Sequence, residues 1–144
     1  MFESGRPVLI VPYIQRNGLK LDRLMVCWDG SRSAARAVGD AMPFIVRAKA
    51  TEVVIVASEA AKSDEMPGAD IAHHLARHGA KVEVKRIVST ETDVANSILS
   101  HAADSFADFL VMGGYGHSRL REFILGGATR AILASMTVPT LMSH

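Results

Sequence analysis

The sequence predicts an α/β fold, an open five-stranded parallel sheet of order 3-2-1-4-5 with helices on both faces and an extra N-terminal strand before the first unit. Three observations carry this. Short apolar, β-branched runs alternate with longer stretches of helical period, the pattern of βαβ units. Crossovers between parallel strands are right-handed, which places helices on either side of the sheet. Apolar residues make up 49% of 144 residues, enough to bury about 68–70% of the unfolded surface in one domain.

The extra strand is read from "RPVLIVPYI", Arg6 to Ile14. The first strand of the repeating pattern is Leu24 to Trp28. Ser33 to Ala48 follows as a helix, with Ala35, Val38, Ala41, Met42 and Ile45 on one face and Pro43 as a point of bending. Val53 to Ser58 is the second strand, and Ile71 to His78 a shorter helix stopped by Gly79. Val82 to Val88 is the third strand, Asp93 to Phe106 the next helix, and Phe109 to Gly113 the fourth strand. A last helix from about Gly127 to Ser135 leads into the closing strand, Val138 to Met142. "RPVLIVPYI" echoes the closing "TVPTLMSH". Residues 1–20 therefore read as an extra strand and linker resembling the end of a preceding copy, and residues 21–144 as the domain proper.

Composition excludes several classes. The high apolar fraction rules out a disordered chain, and no apolar run approaches the ~20 residues of a membrane-spanning helix. A net charge of +1 gives no long-range attraction for nucleic acid or anionic lipid. The N-terminus has no basic segment before a long apolar stretch, so no secretory signal is read and the cytoplasm is the expected location. The single cysteine, Cys27, lies in an apolar strand and reads as a core thiol.

The chemistry concentrates in "GGYGHSRLREFILGG", residues 113–127. A glycine inside a helix costs about 1 kcal/mol against alanine, so four glycines at the two ends of so short a segment call for a reason. At the carboxyl end of a strand, glycines let the backbone turn sharply and bring bare N–H groups close to a ligand. Gly126 and Gly127 would break a longer helix, so the last helix begins there and its first-turn N–H groups are free for an anion. Ser118, Thr129 and Arg119 stand nearby as further donors. The competing reading is that the glycines serve tight turns and close helix packing. Asp29-Gly30-Ser31, at the end of the first strand, places a carboxylate at the point where the crossovers change sides; capping of the following helix is its simpler role, and the two are compatible. No dinucleotide fingerprint fits, because Arg119 stands where a third glycine is needed, and no Gly-Lys pair offers a Walker loop.

Together these residues resemble the universal stress protein family, whose nucleotide-binding members carry glycine, two residues, glycine, nine residues, glycine, then serine or threonine. Gly113, Gly116 and Gly126 match that spacing, and the resemblance extends through "LDRLMVCWDGS", "GADIAHHLARHGAKVEV", "DFLVMGGYGHS" and "VPTLM". It implies an ATP or related adenine-nucleotide site, with Asp29 and Ala57 or Ser58 by the adenine. Gly113, Gly116, His117, Ser118, Gly126 and Gly127 would then line the phosphates. At Gly127 the family pattern asks for serine or threonine, so a hydroxyl contact worth about 0.5–1.5 kcal/mol is missing. The family also includes tandem two-domain chains and pairs through its last strands. Val8 to Val11 is therefore expected to lie beside a last strand, in the same chain or a neighbour, and the protein to form a homodimer through edge strands.

Other residues offer less. His73, His74 and His78 share one helix, but no Cys or acidic pair completes a metal set. No nucleophile elbow occurs. Trp28 suits either stacking on a base or packing under a helix. The sequence thus supports an adenine-nucleotide-binding stress protein acting through dimerisation, against a structural domain that has lost its nucleotide. A weak ATPase depending on His117 ranks below both.

Overall fold

The structure is a computed structural model and describes residues 5–57, 68–89, 94–114 and 127–144. The described residues form six strands and four helices, in the order β1 (Val8–Ile10), β2 (Arg23–Cys27), α1 (Arg32–Ile45), β3 (Ala50–Ala57), α2 (Ala69–Arg77), β4 (Val82–Val88), α3 (Val94–Asp104), β5 (Phe109–Gly113), α4 (Gly127–Ser135) and β6 (Thr140–Ser143). They form one sheet of order β1-β6-β5-β2-β3-β4. Without β1 this is the parallel 3-2-1-4-5 arrangement expected from the sequence. β1 is the added strand, and it runs antiparallel to β6 of the same chain, with Val8 opposite Met142 and Ile10 opposite Thr140.

The central strands are apolar because they are covered on both faces. Leu24, Met25 and Val26 of β2 and Leu110 and Val111 of β5 are each at most 1% exposed. Alternation splits them between two cores. Leu24, Val26, Val53, Phe109 and Val111 pack under α1 and α2, together with Ala37, Ala41, Ile45 and Leu75. Met25, Val54, Leu110 and Met112 pack under α3 and α4, with Ile98 and Ile132. At the sheet's far edge, β4 places Glu83, Lys85 and Arg86 in solvent, charges that discourage further pairing.

Local signals place the helices to within a few residues. Ser31 caps α1, its side chain accepting from the Ala34 N–H, a contact typically worth about 1 kcal/mol. Pro43 lies within α1, in the last turn. The buried face of α1 uses Ala34 and Ala37 and leaves Ala35 in solvent, a rotation of the expected face. Alanines at 34, 35 and 37 make that face ambiguous until it meets a sheet. Gly79 follows α2 at φ +87°, a backbone conformation that glycine adopts without strain. The closing strand begins at Thr140 and includes Ser143, shifted from the expected Val138 start, because Pro139 has no N–H for the ladder.

Candidate functional site

Parallel strands leave their carboxyl ends along one edge of the sheet, and the order reverses between β2 and β5, so their ends open a crevice there. β2 and β5 are hydrogen-bonded neighbours, with Cys27 opposite Met112. Two residues beyond Cys27 the chain reaches Asp29, and one beyond Met112 it reaches Gly113. Their meeting at this edge follows from the register.

Asp29 is exposed. Its Oδ1 accepts from the Ser31 N–H at 2.9 Å, while Ser31 Oγ bonds Ser33 Oγ at 2.9 Å and the Ala34 N–H at 3.1 Å. The capping role foreseen for this turn is therefore filled, and it engages one carboxylate oxygen. A negative charge at the start of α1 is favoured by the helix dipole, yet it repels an adjoining phosphate. Asp29 thus suits a donor-bearing group of a ligand.

Gly113 meets α1 from the opposite side. A Cβ on it would lie 2.6 Å from the Ala34 nitrogen and 2.7 Å from Ser33 Oγ, closer than real contacts allow, and the obstruction includes backbone. Packing alone therefore requires glycine at 113. The next N–H, of Gly114, donates to the Ser143 carbonyl at 2.8 Å and extends the β5–β6 ladder by one bond.

Ala57 ends β3 opposite Val88, and its carbonyl accepts from the Ser89 N–H at 3.0 Å. Cys27 stands opposite Val54, so Ala57 lies three residues further along its strand, at about the level of Asp29. Gly127 opens α4, exposed, with nothing within 4 Å of an added Cβ. Thr129 is 3% exposed, which removes it as a stand-in hydroxyl. Four of the expected site residues, Asp29, Ala57, Gly113 and Gly127, thus stand at carboxyl strand ends or at the start of the helix that follows. Ser58, Gly116, His117, Ser118 and Gly126 lie outside the described residues, as does Arg119.

Neighbouring groups complete the picture. Trp28 is partly buried against the α1 core, and its backbone N–H donates to the Val54 carbonyl at 2.8 Å; packing under the helix is its role. The Cys27 thiol is pushed up to about 12 by burial, with the charge of Asp29 adding to the effect, so at neutral pH it is neither nucleophile nor ready metal ligand. Among the described residues no cluster of three or more His, Cys, Asp or Glu could hold a metal ion; the His74 and His78 rings meet tilted at 47°, with centroids 4.5 Å apart. No helix of the described residues is long and apolar enough to cross a membrane.

One contact at this edge has no local sequence signal. Ser143, 2% exposed, donates its hydroxyl to Asp40 Oδ2 of α1 at 2.7 Å across 103 residues of chain. Serine at a strand's end reads as a boundary, and only the packing of α1 over β6 brings it to a carboxylate.

A doubly wound α/β domain with a carboxylate and a strand-end glycine at its switch point is the class defined here. The universal stress protein family model matches residues 20–144, and the chain belongs to that family. Its relatives include universal stress protein Slr1230 of Synechocystis, 33% identical over 67 residues. That match covers 46% of this chain and 22% of the relative, so the whole relative is much longer than the matched part. Among solved structures, the hypothetical protein MJ0577 superposes with a TM-score of 0.70 at 20% identity, over 85% of this chain and 95% of that one. A universal stress protein from Archaeoglobus fulgidus gives 0.69 at 21% identity, covering 99% of this chain and half of the other. Two relatives of the same fold hold nucleotides: a universal stress protein in complex with cAMP (TM-score 0.60, 20% identity, 85% of this chain and 97% of that one) and an Arabidopsis thaliana family member with AMP bound (0.56, 16% identity, 84% and 89%).

Proposed function

We propose that the protein binds an adenine nucleotide, ATP in particular, at the carboxyl edge of its sheet and serves as a cytoplasmic stress-response module that signals by pairing through sheet edges. The observation that carries this is the juxtaposition of Asp29 and Gly113 at the ends of adjacent strands at the switch point. The adenosine lies at Asp29, Ala57 and Ser58, where a carboxylate accepts from amino or hydroxyl donors. The phosphates lie away from that charge, along Gly113, Gly116, His117, Ser118 and Gly126 and at the first turn of α4, where Gly127 offers backbone donors. The cAMP and AMP held by relatives of this fold support the adenine half of the reading. Because β1 covers β6 and the charged edge of β4 disfavours pairing, a homodimer forms through the open edge of β1.

A second reading, a domain that assembles without nucleotide, draws on Gly127, which lacks the hydroxyl of the family pattern. The test separates the two. Small molecules released on denaturing the purified protein are identified by mass, and ATP and AMP are titrated calorimetrically into the stripped chain. Asp29→Asn keeps an Oδ1 to accept from Ser31 and removes the charge. It should leave the melting temperature nearly unchanged and weaken nucleotide binding about tenfold or more, the scale of a lost charge-assisted hydrogen bond. Equal binding by Asp29→Asn would remove the carboxylate from the site; no released nucleotide and no heat at millimolar ATP would favour the assembly domain.

A further inference from the structure

A run of polar contacts joins the N-terminal segment to the carboxyl end of β5. The Gly5 carbonyl accepts from Nη2 of Arg36. Arg36 Nε stands 4.0 Å from Oδ2 of Asp40, one turn along α1. The same oxygen accepts from Ser143 Oγ at 2.7 Å, and the Ser143 carbonyl accepts from the Gly114 N–H at 2.8 Å. Asp40 is the node: one arm reaches the residues leading into β1, the other the end of β6 and the exit of β5.

The geometry puts both arms at the same edge. β1 runs antiparallel, so Gly5, which precedes it, lies at the carboxyl edge, and Val8 stands opposite Met142, the neighbour of Ser143. β1 is also weakly held. It has three residues and one partner strand, its Leu9 is 38% exposed, and Pro7 and Pro12 on either side of it cannot donate. Short peripheral elements of this kind open at far lower free energy than the core, which supplies the two states, docked and released, that a switch needs.

We propose that Asp40 is a positioning residue that couples docking of β1 to occupancy of the carboxyl edge. Docked β1 holds Arg36 on Gly5, Asp40 on Ser143, and Ser143 on Gly114, so the carboxyl end of β5 stays on the β6 ladder through Gly114. Release of β1 loosens that end. Coupling of this kind is reciprocal: a ligand that fixes the end of β5 tightens β1, and whatever takes β1 away weakens the ligand. The proposal rests on the nucleotide reading above.

Hydrogen exchange by mass spectrometry on the full chain, with and without ATP, tests it beside calorimetric ATP affinities for the wild type, Asp40→Ala and Arg36→Gln. ATP should slow exchange of residues 5–12 by roughly 2- to 30-fold in the wild type, and this slowing should vanish in both variants. Arg36→Gln alters an exposed side chain and leaves the Asp40–Ser143 bond in place, so it reports on the link even if Asp40→Ala folds poorly. Without ATP, Asp40→Ala should speed exchange in residues 5–12 and 109–114 together. Protection near Asp29 and Gly113 with no response at residues 5–12 overturns the coupling and leaves the nucleotide site standing. No heat and no protection anywhere overturns the nucleotide site, and faster exchange confined to one of the two segments in Asp40→Ala then overturns the link itself.

Discussion

Gly113 and Gly127 look alike in the sequence and differ in what holds them. Gly113 is required by backbone 2.6 Å from where its Cβ would be, whereas Gly127 has open space around that point. A serine therefore fits at 127 without displacing a neighbour, and it restores the hydroxyl of the family pattern. Gly127→Ser should strengthen ATP binding by about 0.5–1.5 kcal/mol, roughly 2- to 10-fold, read by titration calorimetry. It should also stabilise α4 slightly, since serine is a better residue than glycine near a helix start. No such repair is available at 113, where any side chain would push α1 off β5. The same comparison separates Asp29 from Ser31: both cap the turn, but only Asp29 keeps an oxygen beyond that role.

Strand β2 shows how an element sets the chemistry of its residues. Its apolar core ends at Cys27, beside the carboxylate of Asp29, and the two together keep the thiol protonated. In the unfolded chain that thiol titrates near its ordinary value of 9.0, in the folded chain only near 12. The folded state therefore holds its proton more firmly. The resulting stabilisation is fully present below pH 9 and is lost as pH rises from there toward 12, at most about 1.4 kcal/mol per pH unit. Urea midpoints for wild type and Cys27→Ala should diverge accordingly above pH 9, and iodoacetamide should label native protein at pH 8 far more slowly than unfolded chain. The α3–β3 contact is a second case. His101 Nε2 lies 2.8 Å from Glu52 Oε2, both largely buried, so a carboxylate in the middle of an apolar sheet face is partnered by the helix that covers it. The sequence predicts this strand from Val53 and leaves Glu52 outside it; the strand in fact begins at Ala50, and the crossing of α3 over β3 supplies the partner of Glu52.

The molecule as a whole closes one sheet edge with its own N-terminal strand. All four residues of β6 are buried, so removing β1 would expose a paired, apolar strand to solvent and to other chains. Deleting residues 1–16 should therefore give either precipitation or a changed oligomeric size, measured by size-exclusion chromatography with light scattering beside the full chain. Unchanged solubility and oligomeric size would mean that β1 contributes little to the edge.

Apolar runs and glycines were enough to read the fold class and the strand order, because period and turn chemistry depend on residues a few positions apart. Strand β4, strand β5 and helix α4 keep their expected limits for that reason. Contacts across long stretches of chain were not legible: which way α1 turns its alanines, the approach of Ala34 to Gly113, the 103-residue reach from Ser143 to Asp40, and the choice of β6 in the same chain as the partner of β1. Each depends on register and packing among elements whose local sequences carry no mark of one another. Asp40 and Ser143 are ordinary polar residues until the sheet places one helix over its last strand.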